Sequence, residues 1–128
     1  MLARGFTLIE LLIVVAILGI LAAVGVPIFN NVIQGGKAAA ANNSLRSIYL
    51  MEQDYYSENS SYYCTSSGNQ TQQINTNLFS GNKTLDESGD YFYYILALGS
   101  CSSGYRAYAS APAQKLLCID HNNKLNNC

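Results

Sequence analysis

The residue richest in chemical information is a carboxylate in an apolar setting. Glu10 lies within FTLIELLIVVAILGILAAVGVPIF, Phe6 to Phe29, and the 19 positions from Leu11 to Phe29 carry no charge. Placing a carboxylate in hydrocarbon costs about 2.5 to 3.5 kcal/mol on insertion scales, so an acid there needs a partner. The apolar segment holds no basic residue. If the chain were cut after Gly5, the new amine of Phe6 would lie four residues before Glu10, on the same helix face and within reach of neutralising it. Four cysteines, Cys64, Cys101, Cys118 and Cys128, form the second set. An even count in an exported domain favours disulfides, and no pair has the C-x-x-C spacing of a zinc or redox centre. Three pairings are open. A hairpin turning near His121 to Lys124 favours Cys118 with Cys128, which leaves Cys64 with Cys101. Asp86, Glu87 and Asp90 form the one acidic cluster, and it reads as a solvated loop rather than a calcium site. Asp120 and His121 are adjacent, but adjacency in sequence is not the geometry of a catalytic triad. Neither an enzyme nor a bound cofactor or metal is expected.

These groups must be carried by particular elements. As a helix, Phe6 to Phe29 would measure roughly 36 Å, enough to cross a hydrocarbon core of about 30 Å. Its apolar character on every face suits lipid or the centre of a large assembly. A secretory signal peptide fits Arg4 and the apolar run, but Glu10 interrupts that run and no small-x-small cleavage site follows Ala23. Gly19, Gly25 and Pro27 weaken the helix: Pro27 offers no amide hydrogen to the carbonyl of Ala23, and each glycine costs about 1 kcal/mol relative to alanine. Helical spacing continues in Ala38, Ala41, Leu45, Ile48, Tyr49, Glu52, Tyr55 and Tyr56, with a stop near Asn59-Ser60-Ser61. A helix from Phe6 to about Asn59 would be roughly 80 Å long. Ser60 to Gly89 reads as an irregular connection with a short element around Leu78-Phe79. Strands are expected at Tyr91 to Leu98, Tyr105 to Ala111 and Leu116 to Asp120, with turns at Gly99 to Gly104, Ala111 to Ala113 and His121 to Asn123. The fold class is α+β: a long N-terminal helix, one half hydrophobic and one amphipathic, packed on a small antiparallel sheet.

Composition supports this division. Of the first 29 residues 22 are apolar, against 41 of the remaining 99, so one short stretch supplies much of the hydrophobicity. The formal net charge is −1, and loss of Arg4 with residues 1–5 would make it −2. Lys37, Arg46, Lys83, Arg106, Lys115 and Lys124 are scattered singly, so no nucleic-acid-binding stripe is evident. The ten tyrosines sit where helix-end packing and a half-buried sheet favour large amphipathic rings.

The basic leader ending in Gly5, the Phe6-Thr7-Leu8-Ile9-Glu10 sequence, and the apolar run with Gly19, Gly25 and Pro27 resemble the type IV prepilins of the pilin and pseudopilin superfamily. The resemblance covers Arg4 to Phe29; beyond it the likeness is architectural. It implies a class III leader, residues 1–5, removed by a prepilin peptidase that cuts after Gly5 and methylates Phe6. Residues 6–29 would form the transmembrane and filament-core helix and 30–59 its amphipathic half. Residues 60–128 would form a globular αβ-loop and sheet region with a disulfide-bonded C-terminal part. The resemblance further implies that Glu10 pairs with the Phe6 amine of a neighbouring subunit. It also implies that the stretch holding Gly19, Gly25 and Pro27 melts when packed. The implied partners are further copies of the chain in a helical filament, the inner membrane before assembly, the peptidase, a membrane platform, an assembly ATPase and an outer-membrane secretin. The expected role is a structural subunit of an extracellular type IV pilus, with adhesion, twitching motility and DNA uptake as downstream roles. The alternative is a minor pilin or a pseudopilin of type II secretion. The major pseudopilins typically bind calcium in a C-terminal loop, where this chain offers cysteines.

Overall fold

The computed structural model describes residues 5–128; Met1 to Arg4, the greater part of the expected leader, lie outside the described residues. Helix α1 spans Leu8–Asn59 and α2 spans Thr71–Asn77, followed by strands β1 (Phe92–Leu98), β2 (Ser100–Ser110) and β3 (Leu117–Asp120). The chain forms two compact units, divided within α1 between Gly36 and Lys37.

In the first unit α1 is a single helix through Gly19, Gly25 and Pro27. Its side chains are exposed throughout, as expected of a segment apolar on all faces with no oily partner inside the chain.

The second unit owns the core. Along α1 the buried residues are Ala41, Leu45, Ile48 and Glu52, one stripe at spacings of four, three and four. Strands β1 and β2 bury alternate residues, Tyr93 and Ile95 on β1 and Tyr105, Ala107 and Ala109 on β2, whereas β3 buries Leu117, Cys118 and Ile119 in succession. Together with Ile74, Leu78, Phe79 and Leu85 these make one hydrophobic cluster. The sheet is an antiparallel meander in the order β1-β2-β3. The fold is therefore the α+β arrangement that the sequence pattern indicates, a long N-terminal helix with a small three-stranded antiparallel sheet.

Two local expectations need correction. The short element expected around Leu78-Phe79 is a helix lying just before them, Thr71–Asn77. It forms because tertiary hydrogen bonds overrule weak propensity: the side chain of Asn75 exchanges two bonds of 2.9 Å with the backbone N–H and C=O of Leu85. The turn expected over Gly99 to Gly104 is confined largely to Gly99, whose φ of +81° suits a residue without Cβ. Strand β2 already begins at Ser100, but the ladder jumps from Leu98↔Ser100 to Ala97↔Tyr105, so the residues between stand out of register. Ser103 holds this excursion by donating from Oγ to the carbonyls of Leu98 and Ser100, each at 2.9 Å.

Both outer edges of the sheet are covered by the chain itself. Along β1, Thr65 N–H donates to the Ile95 carbonyl (2.7 Å) and Gln70 N–H to that of Tyr93 (2.9 Å). The amides of Ile95 and Tyr93 donate in return to Thr65 Oγ1 (2.8 Å) and Thr71 Oγ1 (3.0 Å). Along β3, Ile119 bridges Leu125, and Asn126 N–H donates to the Cys118 carbonyl at 2.6 Å. Unpaired edges recruit other chains, so this covering guards the sheet against edge-to-edge pairing.

Candidate processing and assembly site

The N-terminal site is built from a helix start. Thr7 and Glu10 form a reciprocal capping box: Glu10 N–H donates to Thr7 Oγ1 (3.3 Å), and Thr7 N–H donates to Glu10 Oε2 (3.2 Å). The carboxylate also lies in the first turn, where the helix dipole favours negative charge. Glu10 is exposed, and none of the salt bridges among the described residues reaches it. The capping role is legible in the sequence as the pattern Thr7-x-x-Glu10.

Around this carboxylate the surface is hydrocarbon. Phe6 is 89% exposed, and Leu8, Ile9, Leu11 to Val15, Ile17, Leu18, Ile20, Leu21, Val24, Val26, Ile28 and Phe29 all present more than half of their surface. Helix α1 is long and apolar enough to cross a membrane. A stretch of this size on every face of a helix is not stable in water and calls for lipid or another apolar surface. Gly19 and Gly25 face open space, so no contact within the chain requires glycine at either position.

The remaining sequence-derived sites lie in the second unit and do not converge. Cys64 is bonded to Cys101 and Cys118 to Cys128. The first bond ties the segment along β1 to the out-of-register loop, where Tyr62 N–H also donates to the Cys101 carbonyl (2.8 Å). The second bond closes the segment covering β3. The three acids of the cluster have separate engagements: Asp86 Oδ1 accepts from the N–H and hydroxyl of Ser88, Glu87 accepts from Asn75 Nδ2, and Asp90 pairs with Lys37. The Ser88 hydrogen bonds hold the Asp86 carboxyl below its usual range. No group of three or more His, Cys, Asp or Glu among the described residues is arranged to hold a metal. His121 lies against Tyr62 and Tyr105, with ring centroids 6.2 and 6.4 Å away.

Sequence reasoning missed one functional-looking residue. Glu52 sits in the apolar stripe of α1 with no exposed surface, and its Oε2 accepts the Tyr63 N–H at 3.1 Å. Removal from water pushes its carboxyl up to about 8, against a partial lowering by that hydrogen bond.

An exposed apolar helix opened by a glutamate cap and followed by a disulfide-bonded antiparallel sheet defines the class: an α+β protein with a pilin-type N-terminal helix. The prokaryotic N-terminal methylation motif, as a family model, matches residues 1–26. The chain is 46% identical over 59 residues to the type IV major pilin protein PilA of Myxococcus xanthus, a match covering 46% of this chain and 27% of that protein. It is 60% identical over 38 residues to the type IV major fimbrial protein FimA of Dichelobacter nodosus, covering 30% of this chain and 24% of that protein. The matched part is thus about a quarter of the length of these relatives. The N-terminal segment of the chain carries the methylation motif of type IV prepilins.

Proposed function

We propose that this chain is a pilin subunit, cut after Gly5, methylated on Phe6, held in the inner membrane by residues 6–29 and polymerised through that helix into an extracellular fibre. The single observation that carries the proposal is the pairing of a fully exposed apolar helix with the methylation motif at its start. Burying that helix among its copies keeps its apolar surface out of water once it leaves the hydrocarbon of the membrane. Glu10 then imposes register, because a carboxylate carried into an apolar core must meet a positive charge, and the freed amine of a neighbour's Phe6 supplies one. The likeness to a major pilin and a major fimbrial protein favours the principal subunit of the fibre over a minor one. Gly19, Gly25 and Pro27, which no internal contact requires, would let this stretch unwind when packed.

Two variants separate the charge from the cap. Glu10→Gln keeps an acceptor for the Thr7 N–H but has no charge, whereas Glu10→Ala loses both. In cells carrying a pilus assembly system, both should be cleaved and retained in the membrane, and both should give at least tenfold less sheared filament than the parent. Mass spectrometry of the mature N terminus and of the filament fraction reads both steps. Wild-type filament yield from Glu10→Gln would overturn the register role and leave Glu10 as a helix cap.

A further inference from the structure

Glu52 is the one fully buried acid among the described residues, and the element it grips is the one that covers an open sheet edge. The Tyr63 amide on its Oε2 belongs to the segment that leaves α1 and runs along β1 through Thr65, Gln70 and Thr71. Its other oxygen, Oε1, has no partner among the described residues, and neither does the hydroxyl of Tyr105, a side chain with no exposed surface. The ionisable groups that interact with Glu52 are Tyr62 on the segment and Tyr105 on β2, and these in turn stand beside Tyr49 and Tyr56 of α1 and Asp120 and His121 at the end of β3. None of the salt bridges among the described residues supplies Glu52 with a cation. Burial makes the Tyr62 and Tyr105 hydroxyls harder to ionise, and the nearby Glu52 adds to that effect. A neutral carboxyl therefore suits the site and an ionised one does not.

We propose that Glu52 is a proton-dependent latch: as the neutral acid it holds the segment Tyr62 to Thr71 over the edge of β1, and its ionisation releases that segment to solvent. The Cys64–Cys101 bond tethers the segment, so release is a local opening rather than departure. Opening frees the edge N–H and C=O groups of Tyr93 and Ile95, which are the groups a second strand would pair with.

The sign follows from linkage. In the closed state the carboxyl titrates at about 8, and in the open, solvated state near 4.5. Between those values the closed state holds a proton that the open state has lost, so closure is at full strength below pH 4.5 and weakens until about pH 8. Within that window the opening equilibrium grows about tenfold per pH unit.

Amide hydrogen exchange on the full chain in detergent micelles, resolved by NMR, tests the latch. Base catalysis alone speeds exchange about tenfold per pH unit, so the amides of Tyr63, Thr65, Gln70 and Ile95 should accelerate about a hundredfold per unit from about pH 5 to 7.5. The amides of Ala107 and Ile119 in the central ladder open only with the whole unit, which also solvates Glu52, so they should share that slope but show protection factors at least about tenfold higher at every pH. In Glu52→Gln, which keeps an acceptor for Tyr63 but does not titrate, the segment should fall to the tenfold slope. A tenfold slope at the segment in the parent chain overturns the latch. So do protection factors at the segment equal to those of Ala107 and Ile119, since that marks global unfolding; this comparison needs only the parent chain.

Discussion

The two disulfides close loops of different length, and removing them should cost different amounts. Cys64 and Cys101 are 37 residues apart, Cys118 and Cys128 only 10. In the chain-entropy account, a crosslink closing 37 residues withholds about 3.8 kcal/mol from the unfolded ensemble, and one closing 10 residues about 2.7 kcal/mol. The Cys64→Ser/Cys101→Ser pair should therefore destabilise the second unit by about 1 kcal/mol more than Cys118→Ser/Cys128→Ser. Each loss is a large share of a typical domain stability of about 5 to 15 kcal/mol. Urea unfolding followed by tyrosine fluorescence isolates the right unit, because the chain has no tryptophan and all ten tyrosines lie beyond residue 37. The competing effect is in the folded state. Each bond also anchors a segment that covers a sheet edge, Cys64–Cys101 along β1 and Cys118–Cys128 along β3, where Leu125 and Asn126 pair. A cost for the Cys118–Cys128 pair equal to or above that for Cys64–Cys101 would refute the entropy reasoning and put the larger cost in uncovering the β3 edge.

Two further substitutions test the packing of the second unit. Asn75→Ala strands the N–H and C=O of Leu85, a residue with no exposed surface, and should cost about 2 to 4 kcal/mol by urea unfolding; Asn75→Asp, which keeps one acceptor but sets a carboxylate beside Glu87, should not restore it. Gly104→Ala places a Cβ 2.7 Å from the ring of His121, which must shift between Tyr62 and Tyr105, and should cost about 1 to 3 kcal/mol with altered His121 ring resonances in NMR.

What the sequence reveals here depends on whether the deciding contacts are local. The stripe of Ala41, Leu45, Ile48 and Glu52 and the alternation of Tyr93, Ile95, Tyr105 and Ala107 are periodic, so the long helix and the meander are legible from spacing. The start of β2 is not, because Ser100 to Gly104 are turn formers by type. Their extended conformation depends on Ser103 and on the bond from Cys101 to a residue 37 positions away. Helix α2 is hidden for a similar reason: TQQINTN carries a single apolar side chain, and distant hydrogen bonds from Asn75 and Thr71 fix it in place.

The two glutamates of α1 that stand among apolar neighbours show how far this logic reaches. Each accepts a backbone N–H through Oε2, so as hydrogen bonds they are alike. Glu10 takes its donor from three residues away, which makes its cap readable in Thr7-x-x-Glu10, and it stays exposed and able to meet a charge from outside the chain. Glu52 takes its donor from eleven residues away, across the end of the helix, and no spacing rule anticipates that Tyr63 will return to it. Its position in the stripe forces it inward, and inside it has one amide and no cation. Burial of an acid with a single donor favours the neutral form, whereas Glu10 has no such burial. In the roles proposed above, the same side chain on one helix recruits a positive partner at one position and responds to protons at the other, and the difference lies in where the donor comes from.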